Sequence, residues 1–248
     1  MPLPTASEIE EAGLRSWPAL DVATDGRWVM RAAGGFTKRA NSVQSLDLAD
    51  DGDAVARLER AARWYRDRRL PPVFRVTPLA GSGILTALEG WVADGHSKVL
   101  ALDMGPLAFA TDENVLLAPA TSPDWLAVQQ RLQGYDDPTR DLLGHVVARI
   151  KVPARGLTIY TGNGVPAASA IVMVANGILY TGNVVAAPEH RRKGHTLRLL
   201  ETGMAWARQS GARRAAINVA AENAPAIGLY QKIGYVPHYK YHYRSPPK

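Results

Sequence analysis

The chain of 248 residues contains no cysteine. That absence excludes disulfide frameworks, thiolate nucleophiles and cysteine-ligated zinc. No stretch approaches the roughly 20 apolar residues that span a bilayer. The opening Met1-Pro2-Leu3-Pro4-Thr5-Ala6-Ser7-Glu8 also lacks the basic start and apolar run of a secretion signal. A cytoplasmic protein with no membrane partner is therefore expected. Hydrophobic residues make up 46% of the chain and charged ones 21%, as in ordinary globular proteins. The length suffices for one large domain or two small ones.

Positive charge is in excess. The net charge is +6 and the isoelectric point is near 9.6, which suits nucleic acid, a membrane surface or a phosphate-bearing cofactor. The densest basic run is Arg57, Arg60, Arg63, Arg66, Arg68 and Arg69. Val55, Leu58, Ala62 and Tyr65 recur beside it at helical spacing, so the arginines read as the solvated face of an amphipathic helix. An RNA-binding or RNA-modifying protein using this basic helix, residues 55–69, is one alternative function, although nucleic acid is not the expected partner.

The two halves share an order of landmarks. In the first, a helix from about Ala54 holds Trp64, a strand follows at Val73 to Thr77, then a short helix from Ile84 to Leu88, then Gly90-Trp91. In the second, a helix from about Thr196 holds Trp206 and stops at Gly211. A strand at Ala215 to Val219, a helix from Pro225 and Gly234-Tyr235 follow. The junction falls in Thr111 to Pro123, giving an N-terminal domain 1–120 and a second domain 121–248. A helical pattern runs from Asp124 to Leu132, and Gly134 to Pro138 reads as a loop. Strands are expected at Gly156 to Tyr160 and Ala168 to Val174, and Asn176-Gly177 marks a hairpin into a strand from Leu179 to Ala186. The fold class is α/β (α+β): a mixed, mostly antiparallel twisted sheet flanked by helices, built twice in tandem.

Chemistry concentrates after that last strand, in Pro188-Glu189-His190-Arg191-Arg192-Lys193-Gly194-His195-Thr196, followed by Leu197 at the start of an amphipathic helix. The first amides of a helix have no internal partners and its dipole adds positive charge, so strand, basic turn and helix make an anion trap. Gly194 admits close backbone approach, and the arginines add bidentate phosphate donors. His190 and His195 flank the turn.

Asn223, Ala226, Leu229-Tyr230 and Gly234-Tyr235 follow at set distances. With Arg191, Gly194 and Thr196 in the loop, this pattern resembles the GNAT superfamily of N-acetyltransferases, clearly over Leu157 to Tyr243. Thr196 departs from the usual small residue. The resemblance implies acetyl-CoA as co-substrate, an amine as acceptor, and no metal. It implies that the main chain of Val184, Val185 and Ala186 pairs with the pantetheine arm. The amides of Arg192, Lys193, Gly194, His195, Thr196 and Leu197, with Arg191, would cradle the pyrophosphate. Asn223 would touch the cofactor arm, and Tyr230 would face the sulfur as the proton donor to the departing thiolate. The amine would attack the thioester directly, with an amide near Ala186 stabilising the oxyanion. No carboxylate stands in Tyr180 to Val184, and neither Glu189 nor Glu222 qualifies, so no general base is assigned. That gap leaves a non-catalytic acyl-CoA-binding sensor as a second alternative.

Counting back from Trp64 places Asp50-Asp51-Gly52-Asp53 opposite the basic loop and Thr86 opposite Tyr230. Carboxylates there suit a helix start but repel a pyrophosphate, so the first half reads as a degenerate copy without cofactor. Residues 27–43 read as two strands around a glycine turn, whose Phe36, Arg39 and Asn41 either line a substrate cleft between the halves or serve packing and hydrogen bonding across the sheet. His238 and His242 on a strand lie about 13 Å apart at roughly 3.3 Å per residue, too far for one ion, and are expected to face solvent. The acceptor's identity and the choice between monomer and homodimer are open at this stage.

Overall fold

The structure, a computed structural model, describes residues 1–247. The first half runs α1 (Ala6–Ser16), β1 (Asp21–Asp25), β2 (Trp28–Ala32), β3 (Val43–Ser45), α2 (Ala54–Arg66), β4 (Phe74–Val76), α3 (Ser82–Ala87) and β5 (Val92–Asp103). The second runs β6 (Val115–Ala118), α4 (Pro123–Gln133), α5 (Asp137–Ala148), β7 (Ala154–Tyr160), β8 (Pro166–Ala175), β9 (Ile178–Ala186), α6 (His195–Gln209), β10 (Arg214–Ala220), α7 (Ala224–Ile233) and β11 (Val236–Ser245). Nothing in the sequence reading anticipated α1, although Thr5 and Glu8 form a reciprocal capping box at its start.

All strands join one sheet in the order β1-β2-β3-β4-β11-β5-β10-β9-β8-β7-β6. It is antiparallel except at β3–β4 and β9–β10, which occupy matching places in the two halves. The last strand of each half is wedged into the sheet of the other: β5 separates β10 from β11, and β11 separates β4 from β5. Ala101 on β5 thus pairs with Ala216 on one side and Val236 on the other. The stretch read as a junction, Thr111 to Pro123, holds a strand, β6, which pairs with β7 from Val115↔Ile159 to Ala118↔Gly156.

Around the second half, α1, α4 and α5 cover one face through Ile9, Ala12, Trp125, Leu143 and Val146. The other face is covered by α6 and α7 through Leu199, Leu200, Met204 and Tyr230. A separate cluster packs α2 and α3 against the first half's strands.

The helix α2 forms as expected but is rotated. Val55 is 63% exposed, while Ala54, Leu58, Ala61 and Tyr65 face inward with Arg57, which is 5% exposed. Arg57 is not a solvated arginine: it bonds both carboxylate oxygens of Asp50 at 2.8 and 2.9 Å and lies 4.3 Å from the Trp28 ring. Arg60 pairs with Asp25 and Arg68 with Asp21, so three arginines of the row are neutralised by β1 and the Asp50 loop. The basic-helix reading of an RNA partner loses its footing there.

Residues 27–43 contain β2, a single turn of 3-10 helix over Lys38–Ala40, and the start of β3. Asn41 is spent on its own loop. Its Oδ1 accepts from the amides of Ala33 and Gly35, and its Nδ2 donates to the carbonyls of Phe36 and Thr37. Phe36 is buried against Trp17 and Tyr135. Of the histidines of β11, His238 is exposed as expected, with Nε2 at 2.7 Å from the Pro4 carbonyl, whereas His242 is half-buried and stacks on His96.

Candidate active-site cleft

The turn between β8 and β9 has positive φ at both Asn176 (53°) and Gly177 (72°), the conformation a two-residue hairpin requires. Further along β9 the pairing with β8 shifts register between Gly182 and Val185, where Asn183 adopts φ 48°. On its other side β9 runs parallel to β10 only from Ile178↔Arg214 to Thr181↔Ile217. Beyond those residues the strands part. The edge of Val184, Val185 and Ala186 away from β8 is left without a strand partner, and a crevice opens at the carboxyl ends of two parallel strands.

A cleft of about 1040 Å³ fills that gap. Its wall includes Val184, Val185, Ala186, Arg191, Arg192, Gly194, His195, Thr196, Leu197, Asn223 and Tyr230. Of the residues named from sequence as a cofactor site, Lys193 alone stands outside the wall, exposed. Glu189 and Glu222 are likewise exposed and outside it, as is Thr86, far along the sheet on α3. Phe36 and Asn41 do not reach the cleft, but Arg39 does.

The turn from β9 to α6 is shaped for an anion. Pro188–His190 form one 3-10 turn, Arg191 is extended, and Arg192 (φ 60°) and Gly194 (φ 79°) are left-handed. A non-glycine residue held at φ 60° costs about 1 kcal/mol, strain of the kind retained at binding sites. The helix then opens at His195 with no side-chain cap and no acidic residue in its first turn. By contrast α1, α5 and α7 are capped by Thr5, Asp136 and Asn223. The free amides of α6 therefore point into the cleft without an internal acceptor. His190 and His195 meet edge to face, and the Nδ1 of each is buried without a partner. Burial first, then the nearby Arg198, lower the His195 pKa.

Tyr230 projects from α7 and is 5% exposed, its ring 6.0 Å from that of Tyr235. Burial pushes its pKa up to about 12, so it remains a phenol across the working range. Asn223 uses Oδ1 to accept from the amide of Ala226 as the cap of α7, which leaves its Nδ2 for the cleft.

The strand gap connects the two faces of the sheet. On the face opposite α6, Asn218 shares its side of β10 with Ala216, and both of its amide atoms are buried without partners. Asn183 Nδ2 is similarly unpartnered. Gln129, fully buried on α4, donates to Ser169 Oγ and to the Asn183 carbonyl, pinning the β9 bulge from behind. Sequence reading passed over Asn183, Asn218 and Gln129. Asparagine inside an apolar strand is the signal that marks the first two, because strands disfavour it without a special role.

In the first half the corresponding loop is closed by its own carboxylates. Asp51 Oδ2 accepts from the amide of Gly83 at the start of α3, and Asp50 accepts from Arg27 and Arg57. Asp53 precedes α2 in a left-handed conformation, as Gly194 precedes α6, but its side chain caps nothing.

Among the described residues no helix is long and apolar enough to cross a membrane. Comparison with known proteins matches residues 6–244 to the family model described as "Probable histone acetyltransferase Rv0428c C-terminal". The uncharacterized N-acetyltransferase YobR of Bacillus subtilis (strain 168) is 29% identical over 243 residues, 96% of this chain and 97% of that protein. A GCN5-related N-acetyltransferase from Kribbella flavida superposes with a TM-score of 0.70 at 19% identity, covering 98% of this chain and 96% of that one. A tandem GNAT protein from the clavulanic acid biosynthesis pathway gives a TM-score of 0.66 at 15% identity over 99% and 91%. With a family model spanning nearly its whole length, and a sheet that parts beside an uncapped helix, the chain belongs to this acetyltransferase family: it is an acyltransferase of the GNAT superfamily.

Proposed function

We propose that the chain transfers an acetyl group from acetyl-CoA to an amine, using the cleft between β9 and β10. The observation that carries this reading is the pairing of two unsatisfied surfaces: the open edge of Val184–Ala186 and the uncapped start of α6. The first matches an extended amide-bearing arm such as pantetheine. The second, with Arg191 and Arg192 beside it, matches a pyrophosphate. When bound, acetyl-CoA supplies the activated thioester. The protein's part is to hold it, to offer a main-chain amide near Ala186 to the developing oxyanion, and to present the Tyr230 phenol to the departing sulfur. The acceptor reaches the same gap from the opposite face.

In this reading the first half is a degenerate copy that braces the active half. Asp51 accepts from the amide at the start of α3, Asp50 is held by Arg57 and the Arg27 amide, and Asp53 adds negative charge where a diphosphate would lie. Calorimetric titration with acetyl-CoA is expected to give one site per chain. Two equivalent sites would refute the degenerate-copy reading, and no saturable binding would refute the function itself.

A further inference from the structure

Arg39 is the one residue of the first half that enters the cleft. Its guanidinium lies 5.3 Å from the Trp17 ring and 5.9 Å from the Tyr180 ring. One terminal nitrogen lies 3.8 Å from where a Cβ on Gly182 would stand, so Arg39 rests against β9 just before the strands part. Its Nε is buried without a hydrogen-bond partner, and among the described residues no carboxylate pairs with it. Aromatic faces offset part of the cost of desolvating a cation, but they leave its in-plane donors unused.

The surroundings deepen the imbalance. Arg31, beneath Arg39, is buried and donates to the carbonyls of Trp17 and Arg39. Arg75 is buried beside it, and the one buried carboxylate among the described residues, Glu10, is taken by Arg75, Gln44 and Tyr239. Of the three guanidiniums, Arg75 holds the carboxylate, Arg31 is held by two main-chain carbonyls, and Arg39, which faces the cleft, has neither. Beyond it stand Asn183 Nδ2 and both amide atoms of Asn218, all without partners. Asn218 Oδ1 can accept an N–H from a neutral amine, and Arg39 can take a carboxylate through two parallel bonds.

We propose that Arg39 is the specificity residue for an acceptor that carries a carboxylate: the substrate class is an amino acid or a small amino-carboxylate, its anion on Arg39 and its amine at Asn218. This rests on the acetyltransferase reading above. The test is thiol release from acetyl-CoA with α- and ω-amino acids, each run beside its own carboxamide and compared per unprotonated amine, because loss of the carboxylate also lowers the amine pKa. Calorimetry of the same pairs on the enzyme saturated with CoA gives a readout independent of turnover.

The acids are expected to exceed their amides by at least about tenfold in kcat/KM, and Arg39→Gln to abolish that preference without changing acetyl-CoA affinity. Arg39→Lys, which keeps the charge but loses the fork, should recover part of it. Equal use of acid and amide overturns the assignment, as does a preference that survives Arg39→Gln, or the absence of any tighter binding of acid than of amide. Thermal denaturation of both variants separates a lost site from a lost fold. If acetyl-CoA itself fails to bind, the acetyltransferase reading falls. If it binds and the carboxylate is ignored, only the role of Arg39 does.

Discussion

Replacing Tyr230 with phenylalanine is expected to lower kcat by about 10²-fold or more, the scale of a lost general acid, with acetyl-CoA affinity almost unchanged. The ring is buried among Leu200, Ile217 and Tyr235, so the variant keeps its packing and loses only the hydroxyl. The pH profile tells a donor from a spacer. Because burial raises the phenol pKa to about 12, the group holds its proton while the acceptor amine sheds its own. The wild-type rate should therefore climb with pH as the amine deprotonates, with no descending limb until pH nears the phenol's own value. A Tyr230→Phe enzyme that keeps kcat within about threefold would make Tyr230 a packing residue, since removing a general acid costs far more than that.

The largest stability effect is expected at Glu10→Ala. The Glu10 carboxylate is 3% exposed and the Arg75 guanidinium 2%, and they meet directly, with Tyr239 donating to Glu10 at 2.5 Å. Although its burial opposes the charge, the Glu10 carboxylate and the surrounding tyrosines hold the Arg75 pKa well above its ordinary value. Removing the carboxylate leaves Arg75 and Arg31 in the interior with no counter-ion. Breaking one member of such a pair costs about 3–5 kcal/mol, a fifth or more of the roughly 5–15 kcal/mol that stabilises a typical domain. Urea denaturation of Glu10→Ala beside Glu10→Gln measures it, and the glutamine should recover part of the loss by keeping contacts to Tyr239 and Gln44. A loss below about 1 kcal/mol would mean that the buried arginines are satisfied by main chain and rings alone.

The parts of the molecule that could be read from sequence are those whose physics is local. Asn176-Gly177 makes its hairpin because two left-handed residues in succession demand such a pair. The basic turn ahead of α6 shows itself by glycine and charge at a strand-to-helix boundary. The α2 helix was recognisable by its period, yet its phase came out wrong, because Val55 looks apolar and Arg57 looks exposed. Only Asp25 and Asp50, arriving from a strand and a loop, make burial of Arg57 affordable. Asn183 and Asn218 escaped notice because their importance depends on where two parallel strands separate, which no short window reveals. The exchange of β5 and β11 is written in no pattern at all: either strand is an alternating segment that would pair as well with its own half.

That exchange governs how the chain can be made. Synthesis proceeds from the N-terminus, so β4 and β5 emerge long before residues 236–245, and the slot between them stays vacant until those residues have left the ribosome. The first half waits as an unzipped sheet with two open borders, the state most prone to pairing with a wrong chain. Closure comes as a late insertion that completes both halves in one stroke, and a nascent chain that stalls before Val236 leaves both unfinished.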